Sequence, residues 1–275
     1  MATYLIIGGT GTLGKALIKR LQNDNILRIY SRDEFKQYEL RHEKNCKFFI
    51  GDVRDKKRLE MAMENVDIVI HAAAMKNIEI SEYNPFEAIK TNVYGTQNVI
   101  DCAMKTKPKQ VLFVSTDKAV SPENLYGATK LCAERLIISA NNYKGPRDTM
   151  FKFVRYGNVW GSRGSVLHQW ATQDKIKVRD MSSTRFHLMP EDAVDIIMDA
   201  LASDKVKNIP KPKAYELKAL AITYSNMTGK EIEEVDKLTG EKSHESLDIG
   251  VTSHGAEKLS GDELRKLVSD FLNQE

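Results

Sequence analysis

The turn after the first apolar run constrains this chain more than any other segment. Tyr4-Leu5-Ile6-Ile7 reads as a short buried strand, and Gly8-Gly9-Thr10-Gly11-Thr12-Leu13-Gly14 follows it directly. An amphipathic helix is predicted from about Lys15 to Leu21. Gly8, Gly11 and Gly14 stand at G-x-x-G-x-x-G spacing. Glycines so placed permit a tight turn, let backbone approach a pyrophosphate, and let the helix pack close to its strand. The phosphates would sit on free N–H groups at the helix N-terminus. A Gly-rich hairpin is the bland alternative, but a strand before and a helix after favour a dinucleotide site. Its first contacts would be Gly8, Thr10, Gly11, Thr12, Leu13 and Gly14.

Strand-like and helix-like segments then alternate, the pattern of a parallel sheet wrapped by helices. Strands are predicted at 3–8, 26–30, 47–50, 67–71, 110–115 and 151–156. Helices are predicted near 12–22, 33–42, 55–64, 85–106 and 124–143. After Tyr156 the pattern changes to turn formers and short elements, with helices at about Glu191–Ala202 and Asp262–Asn273, and Pro210-Lys211-Pro212 breaks the chain between them. The expected organisation is a dinucleotide-binding domain over 1–157, with a helix at about 190–203 packing back on it. Residues 158–275 would form mainly a small, discontinuous substrate lobe.

The second predicted strand ends at Ser31-Arg32, with Lys36 one helical turn beyond. A site for NAD usually has an acidic residue there for the ribose 2′-OH, whereas a nearby Arg accommodates the 2′-phosphate of NADP. Ser31, Arg32 and Lys36 favour NADP, and Asp33 and Glu34 keep NAD open. Asp52-Val53 follows the third strand, where the carboxylate could meet an adenine amino group or cap the helix that begins near Asp55. His71-Ala72-Ala73-Ala74 ends the fourth strand with the small side chains that a cofactor passing close by requires.

Val111-Leu112-Phe113-Val114 reads as a buried strand that delivers Ser115-Thr116-Asp117-Lys118 at its C-terminal end. Open α/β sheets bind ligands there. Tyr126 and Lys130, four apart on the next helix, share one face. An ammonium beside a phenol favours the phenolate, so Tyr126 can act as a base toward an alcohol. Y-x-x-x-K alone is common by chance. Its position behind a strand ending in S-T-D-K gives it weight.

Composition removes other classes of function. A length of 275 residues suits one large α/β domain, or a dinucleotide domain with an appendage. A formal net charge of +3 is too near neutral to argue for nucleic acid or a membrane surface. Cys46, Cys102 and Cys132 form no C-x-x-C, which suggests reduced thiols in a cytoplasmic protein. The His residues show no H-x-x-H spacing, so no metal site is expected. No apolar run approaches the ~20 residues that cross a bilayer, and no signal peptide is visible ahead of Met1-Ala2-Thr3.

The stretches Gly8–Gly14, Tyr30–Glu34, Gly51–Asp55, His71–Lys76, Glu82–Asn92, Ser115–Lys130, Phe153–Val166, Thr184–Phe186 and Thr239–Glu245 together resemble a known set. The chain is similar to the extended short-chain dehydrogenase/reductases, and more narrowly to the inverting UDP-N-acetylglucosamine 4,6-dehydratases (5-epimerising). It departs from them in ending soon after Glu245, in Met75-Lys76-Asn77 and Trp160, and in Ser243 where an aliphatic residue is typical.

The resemblance implies a Rossmann-type doubly wound α/β fold, NADP as cofactor, a UDP-sugar substrate and a homo-oligomer. It implies that Tyr126 takes the proton of the sugar 4-OH while hydride passes to NADP. Lys118 then removes the C5 proton of the 4-ketone and Asp117 protonates the departing 6-OH. That acid role needs a raised pKa beside an apolar or anionic partner. Hydride returns to C6, so the reaction is that of a lyase. The implied catalytic set is Thr116, Asp117, Lys118, Tyr126 and Lys130. Asn92, Tyr126 and Lys130 join the cofactor contacts with Asp52, Val53, Ala72, Ala73 and Ala74. Lys76, Asn158, Arg185 and Lys242 would face the sugar nucleotide, Arg185 and Lys242 suiting its diphosphate; surface salt bridges are their bland alternative. A retaining dehydratase, a 4-epimerase and a non-catalytic dinucleotide sensor stay open beside this reading.

Overall fold

Apolar runs that cannot be solvated on either face become the middle of a parallel sheet. The chain is described by a computed structural model over residues 1–162, 165–237 and 240–273. Arg163-Gly164 and Thr239, parts of two of the stretches quoted above, lie outside those residues. The sheet holds β1 (Thr3–Ile7), β2 (Ile26–Ser31), β3 (Cys46–Ile50), β4 (Ile68–His71), β5 (Gln110–Val114) and β6 (Met150–Val154). Its order is Lys207–Asn208, β6, β5, β4, β1, β2, β3, with every pairing parallel. The direction of winding reverses between β1 and β4, and ligands bind beyond the strand ends at such a switch point. The Gly-rich turn leaves β1 there, and His71–Ala74 leaves β4.

Helices α1 (Thr12–Leu21), α2 (Glu34–Glu39) and α3 (Lys56–Met63) fall where periodicity puts them. Asp55, not Asp52, caps α3 by accepting a hydrogen bond from Arg58 N–H at 3.1 Å. The helix predicted over 85–106 runs without a gap but carries a π-helical turn inside it. After α4 (Ile78–Tyr83), which the sequence reading lacks, come α5 (Pro85–Ile89), a π-helical turn at Lys90–Tyr94, and α6 (Gly95–Thr106). The extra residue per turn lets buried Asn92 reach out of the helix. Its amide accepts from Met75 N–H at 2.8 Å and donates to Met75 C=O at 2.9 Å. Helix α7 (Leu125–Tyr143) follows β5.

Two compact units emerge, Met1–Arg155 with Pro190–Ile209, and Tyr156–Met189 with Pro210–Glu275. In the first, a core of Leu5, Ile7, Val69, Val111, Phe113, Phe151 and Phe153 packs against Leu59, Val99, Ile100 and Ile137 from the helices. Lys152 sits in this buried strand at 1 % exposure, and its ammonium donates to the carbonyls of Ala200, Leu201 and Ser203. Those carbonyls end the helix Pro190–Ala202, so a point charge meets the negative end of a helix dipole. That helix also packs against α1.

In the second unit, Thr184–Leu188 is flanked by Ala214–Glu216 and Asn158–Val159. Trp170, Tyr224, Leu220, Val268 and Phe271 form its core. The helix Leu217–Thr228 within it is absent from the sequence reading, although Gly229, at φ +75°, is the left-handed terminator such a helix needs. No helix among the described residues is long and apolar enough to cross a membrane.

A close backbone approach in the first unit generates a test. A Cβ at Gly14 would lie 2.2 Å from Gly9 O, whereas one at Gly261 meets nothing within 4 Å. Gly14→Ala should lower stability by about 1–3 kcal/mol or more. Gly261→Ala should be neutral or slightly stabilising. Urea denaturation of both variants checks the contrast, and equal midpoints would contradict it.

Candidate active site

The site grows from the C-terminal end of β5. Ser115 N–H donates to Val154 C=O at 2.7 Å, continuing the sheet by one residue. Thr116 then leaves it in an extended conformation and caps a single 3₁₀ turn, Asp117–Ala119. Asp117 is fully buried. Its Oδ1 accepts from Thr116 Oγ1 at 3.0 Å and from Lys118 Nζ at 3.1 Å. One partner of this carboxylate is therefore a cation, Lys118, with which it forms an ion pair.

Helix α7 starts against this turn. Asn124 caps it by accepting from Gly127 N–H at 2.9 Å. A Cβ at Gly127 would come within 2.1 Å of Lys118 O, so only glycine lets the helix begin this close to the Asp-Lys turn. Tyr126 is buried on the first turn and Lys130 on the next. Thr129 Oγ1 donates to Tyr126 C=O at 2.8 Å and accepts from Asn92 Nδ2 at 3.0 Å. Asn92 thus spends its amide on Met75 and Thr129, which points to a role in positioning the 72–76 segment and α7.

Lys130 Nζ donates to Val114 C=O at 2.6 Å and lies 3.9 Å from the centre of the Phe113 ring. Burial pushes its ammonium down to about 7, against the opposing pull of Glu134. At neutral pH Lys130 is therefore poised between its two forms. Glu134, one turn further along α7 and 1 % exposed, is a residue the motifs do not reveal. It accepts from Ser115 Oγ at 2.5 Å, and from Arg155 Nε at 2.7 Å and Nη2 at 2.6 Å. Its signal in the sequence is a lone carboxylate four residues after Lys130, on the face that faces the sheet.

His71 ends β4 in full burial. Desolvation, assisted by Lys130, lowers its pKa to about 3, so it stays neutral. Thr96 Oγ1 already donates to Asn92 C=O, so it accepts from His71 Nε2 at 3.2 Å, and Nδ1 is left as the unprotonated nitrogen. Lys76 is exposed, yet desolvation, together with the Lys118 charge, lowers its pKa.

The cofactor half fits a dinucleotide. Gly8 adopts φ +88°, and a Cβ there would meet Ala73 N at 2.8 Å, so the turn lies directly against the Ala72–Ala74 segment. A Cβ at Gly11 would meet only Gly8 O at 3.4 Å, which leaves the cradle before Thr12, Leu13 and Gly14 open to a pyrophosphate. Gly11 caps α1 without a side chain, and the first turn carries no acid. At the strand ends, Asp33 caps α2 and pairs with Lys36 at 3.1 Å. Arg32 is exposed and lies 3.8 Å from Asp52. Arg54 grips the Asp52 carboxylate through both Nε and Nη2. Val53 is buried, its side chain against the space that Gly95 leaves open.

In the second unit, Arg185 is buried on Thr184–Leu188 and pairs with Glu241 at 3.4 Å. It also donates to Ser243 C=O at 2.9 Å. Ser243 Oγ donates to Asp180 at 2.7 Å and accepts from Lys237 Nζ at 2.8 Å. The polar residue at this position thus clasps the segment that carries Lys242. Asn158 is exposed on the strand beside His187.

The Lys130 titration gives a stability test. Lys130 ionises near 10.5 in the unfolded chain and near 7 in the fold. Between those values the unfolded chain binds more protons, so stability should rise with pH. The difference between wild type and Lys130→Met should therefore move in favour of wild type from pH 7 to pH 10, by at most about 1.4 kcal/mol per pH unit. Urea titrations at several pH values check this, and a flat difference would contradict it.

The profile of a family described as polysaccharide biosynthesis protein matches residues 4–261. A UDP-N-acetylglucosamine 4,6-dehydratase (inverting) of Campylobacter jejuni subsp. jejuni serotype O:23/36 (strain 81-176) is 42% identical over 261 residues, 91% of this chain and 78% of that protein. A UDP-glucose 4-epimerase of Rickettsia typhi is 37% identical over 276 residues, 94% of this chain and 81% of that protein. Among solved structures, Pen from Bacillus thuringiensis is 37% identical with a TM-score of 0.90, covering 98% of this chain and 97% of that one. Structures at 17–18% identity, determined with NAD bound, share the fold with TM-scores of 0.81–0.83. With a match across nearly its whole length and relatives this similar, the chain belongs to the polysaccharide biosynthesis protein family, among the extended short-chain dehydrogenase/reductases.

Proposed function

We propose that this chain is an NADP-dependent UDP-N-acetylglucosamine 4,6-dehydratase that inverts the configuration at C5. The observation that carries the reading is the Asp117–Lys118 ion pair, held at the start of the helix that bears Tyr126 and Lys130. Similarity to the inverting dehydratase of Campylobacter jejuni supports the substrate. When bound, the nicotinamide would supply reversible redox capacity, accepting reducing equivalents from C4 and returning them at C6.

The residues then have separable tasks. Tyr126 takes the 4-OH proton. A phenol near pKa ~10 needs ~4 kcal/mol of help to do so at neutrality. Lys130 supplies part of it while protonated. The 4-ketone acidifies C5–H, and Lys118 accepts that proton once it has passed its own to Asp117. Asp117, now the acid, gives a proton to the departing 6-oxygen, which leaves as water. The ion pair thereby solves the difficulty of an acid beside a cation: one proton serves both groups in turn. Arg185 and Lys242 would hold the diphosphate, and Lys76 and Asn158 the sugar.

A second reading has support in the Rickettsia epimerase relatives. A 4-epimerase needs Tyr126 and Lys130 but has no use for Asp117 and Lys118. Purified protein incubated with UDP-N-acetylglucosamine should yield a product lighter by one water in mass spectrometry; a product of unchanged mass would favour the epimerase.

Two substitutions follow from the assigned roles. Tyr126→Phe should abolish turnover while cofactor still binds, and Lys118→Ala should cost ~10²-fold or more in kcat. A Phe variant that turns over near the wild-type rate would place the base elsewhere. Arg32→Ala should weaken NADP far more than NAD, since a charged hydrogen bond contributes ~1.5–3 kcal/mol. Titration calorimetry that finds both cofactors equally affected would reject that assignment.

A further inference from the structure

We propose that Gln37 makes the cofactor site selective for a 2′-phosphate, by fixing the hydroxyl of Ser31 as a hydrogen-bond donor. The inference rests on the NADP reading above and adds a residue that no motif singles out. Gln37 lies on α2 at 5 % exposure. Its Nε2 reaches Ser31 C=O at 3.1 Å, Phe49 C=O at 3.0 Å and Ser31 Oγ at 2.9 Å. Two of these three partners are carbonyls, which only accept, so the nitrogen end of the amide must face them. The two N–H groups of Gln37 are shared among the three oxygens, and its nitrogen cannot accept, so the Ser31 proton is turned away from that amide.

Ser31 is the last residue of β2, at the strand end where the ribose of a bound dinucleotide would lie. An oriented O–H suits a group that only accepts, as phosphate oxygens do. A ribose 2′-OH is read best by a carboxylate, and two carboxylates at the neighbouring strand ends, Asp33 and Asp52, are occupied. Asp33 accepts from Lys36 N–H at 3.1 Å and pairs with its ammonium. Asp52 is gripped by Arg54. The strand end thus presents donors, from Ser31, Arg32 and Lys36, while the carboxylates of Asp33 and Asp52 are already engaged.

The test uses the full chain and two probes, adenosine 2′,5′-bisphosphate and 5′-AMP, titrated by calorimetry without turnover. Wild type should bind the bisphosphate at least about tenfold more tightly than AMP, the equivalent of one charged hydrogen bond. Gln37→Met, which keeps the shape and removes the donor, should lose most of that ratio and leave AMP affinity unchanged. Ser31→Ala, which spares the two carbonyl contacts, should lose it too, and Ser31→Thr should restore it. The double variant should lose no more than either single one, because both act through one hydroxyl. If wild type shows no preference for the bisphosphate, the NADP reading itself fails. If wild type shows the preference and either Gln37→Met or Ser31→Ala retains it, the NADP reading stands and this inference is overturned.

Discussion

Two side chains one turn apart on α7 hold the last residue of β5 and the one after it, and the remainder of the site depends on that grip. Lys130 binds the carbonyl of Val114, and Glu134 binds the hydroxyl of Ser115. Arg155, the residue after β6, closes the arrangement with a bidentate bond to Glu134. A buried ion pair of this kind is weak support for stability in itself, but breaking it by removing one partner typically costs 3–5 kcal/mol. What it secures here is register. Thr116, Asp117 and Lys118 leave β5 at a point locked to α7, and Tyr126 sits on the same helix. The contact between Gly127 and Lys118 O shows how little slack that leaves.

The same grip governs charge. Lys130 is removed from water and balanced by Glu134, so its ammonium is easily lost. His71 beside it is kept neutral. Desolvation, and after it the charge of Lys118, lowers the pKa of Lys76. Lys130, held near 7, exchanges its proton readily near neutrality, and acid–base chemistry needs that.

Much of the fold is legible in the sequence because its strands are apolar runs and its glycines stand where backbone must come close. The β1 turn, the parallel strands and the helix after β5 follow from those signals. The π-helical turn at Lys90–Tyr94 does not, since nothing in the helical pattern changes there; it places Asn92 against Met75. Helix α4 is too short to announce itself. Asp117 and Lys118 are adjacent in sequence, yet their ion pair, and hence the exchange of roles it allows, depends on a 3₁₀ turn that adjacency does not reveal. Glu134 and Gln37 escape for a related reason. Each is an ordinary polar residue on a helix until its partners, Arg155 and Ser31, are brought to it by the sheet.

The central claim is that this site eliminates water and delivers the returning C5 proton to the opposite face. A proton spectrum of the product formed from UDP-N-acetylglucosamine in D2O, taken early in the reaction, tests it most directly. The account predicts UDP-2-acetamido-2,6-dideoxy-β-L-arabino-hex-4-ulose as the first-formed product, with one deuterium at C5 and ring couplings of the L-arabino configuration. A first-formed D-xylo product would contradict inversion, and an intact 6-hydroxymethyl group on a 4-epimer would contradict dehydration altogether.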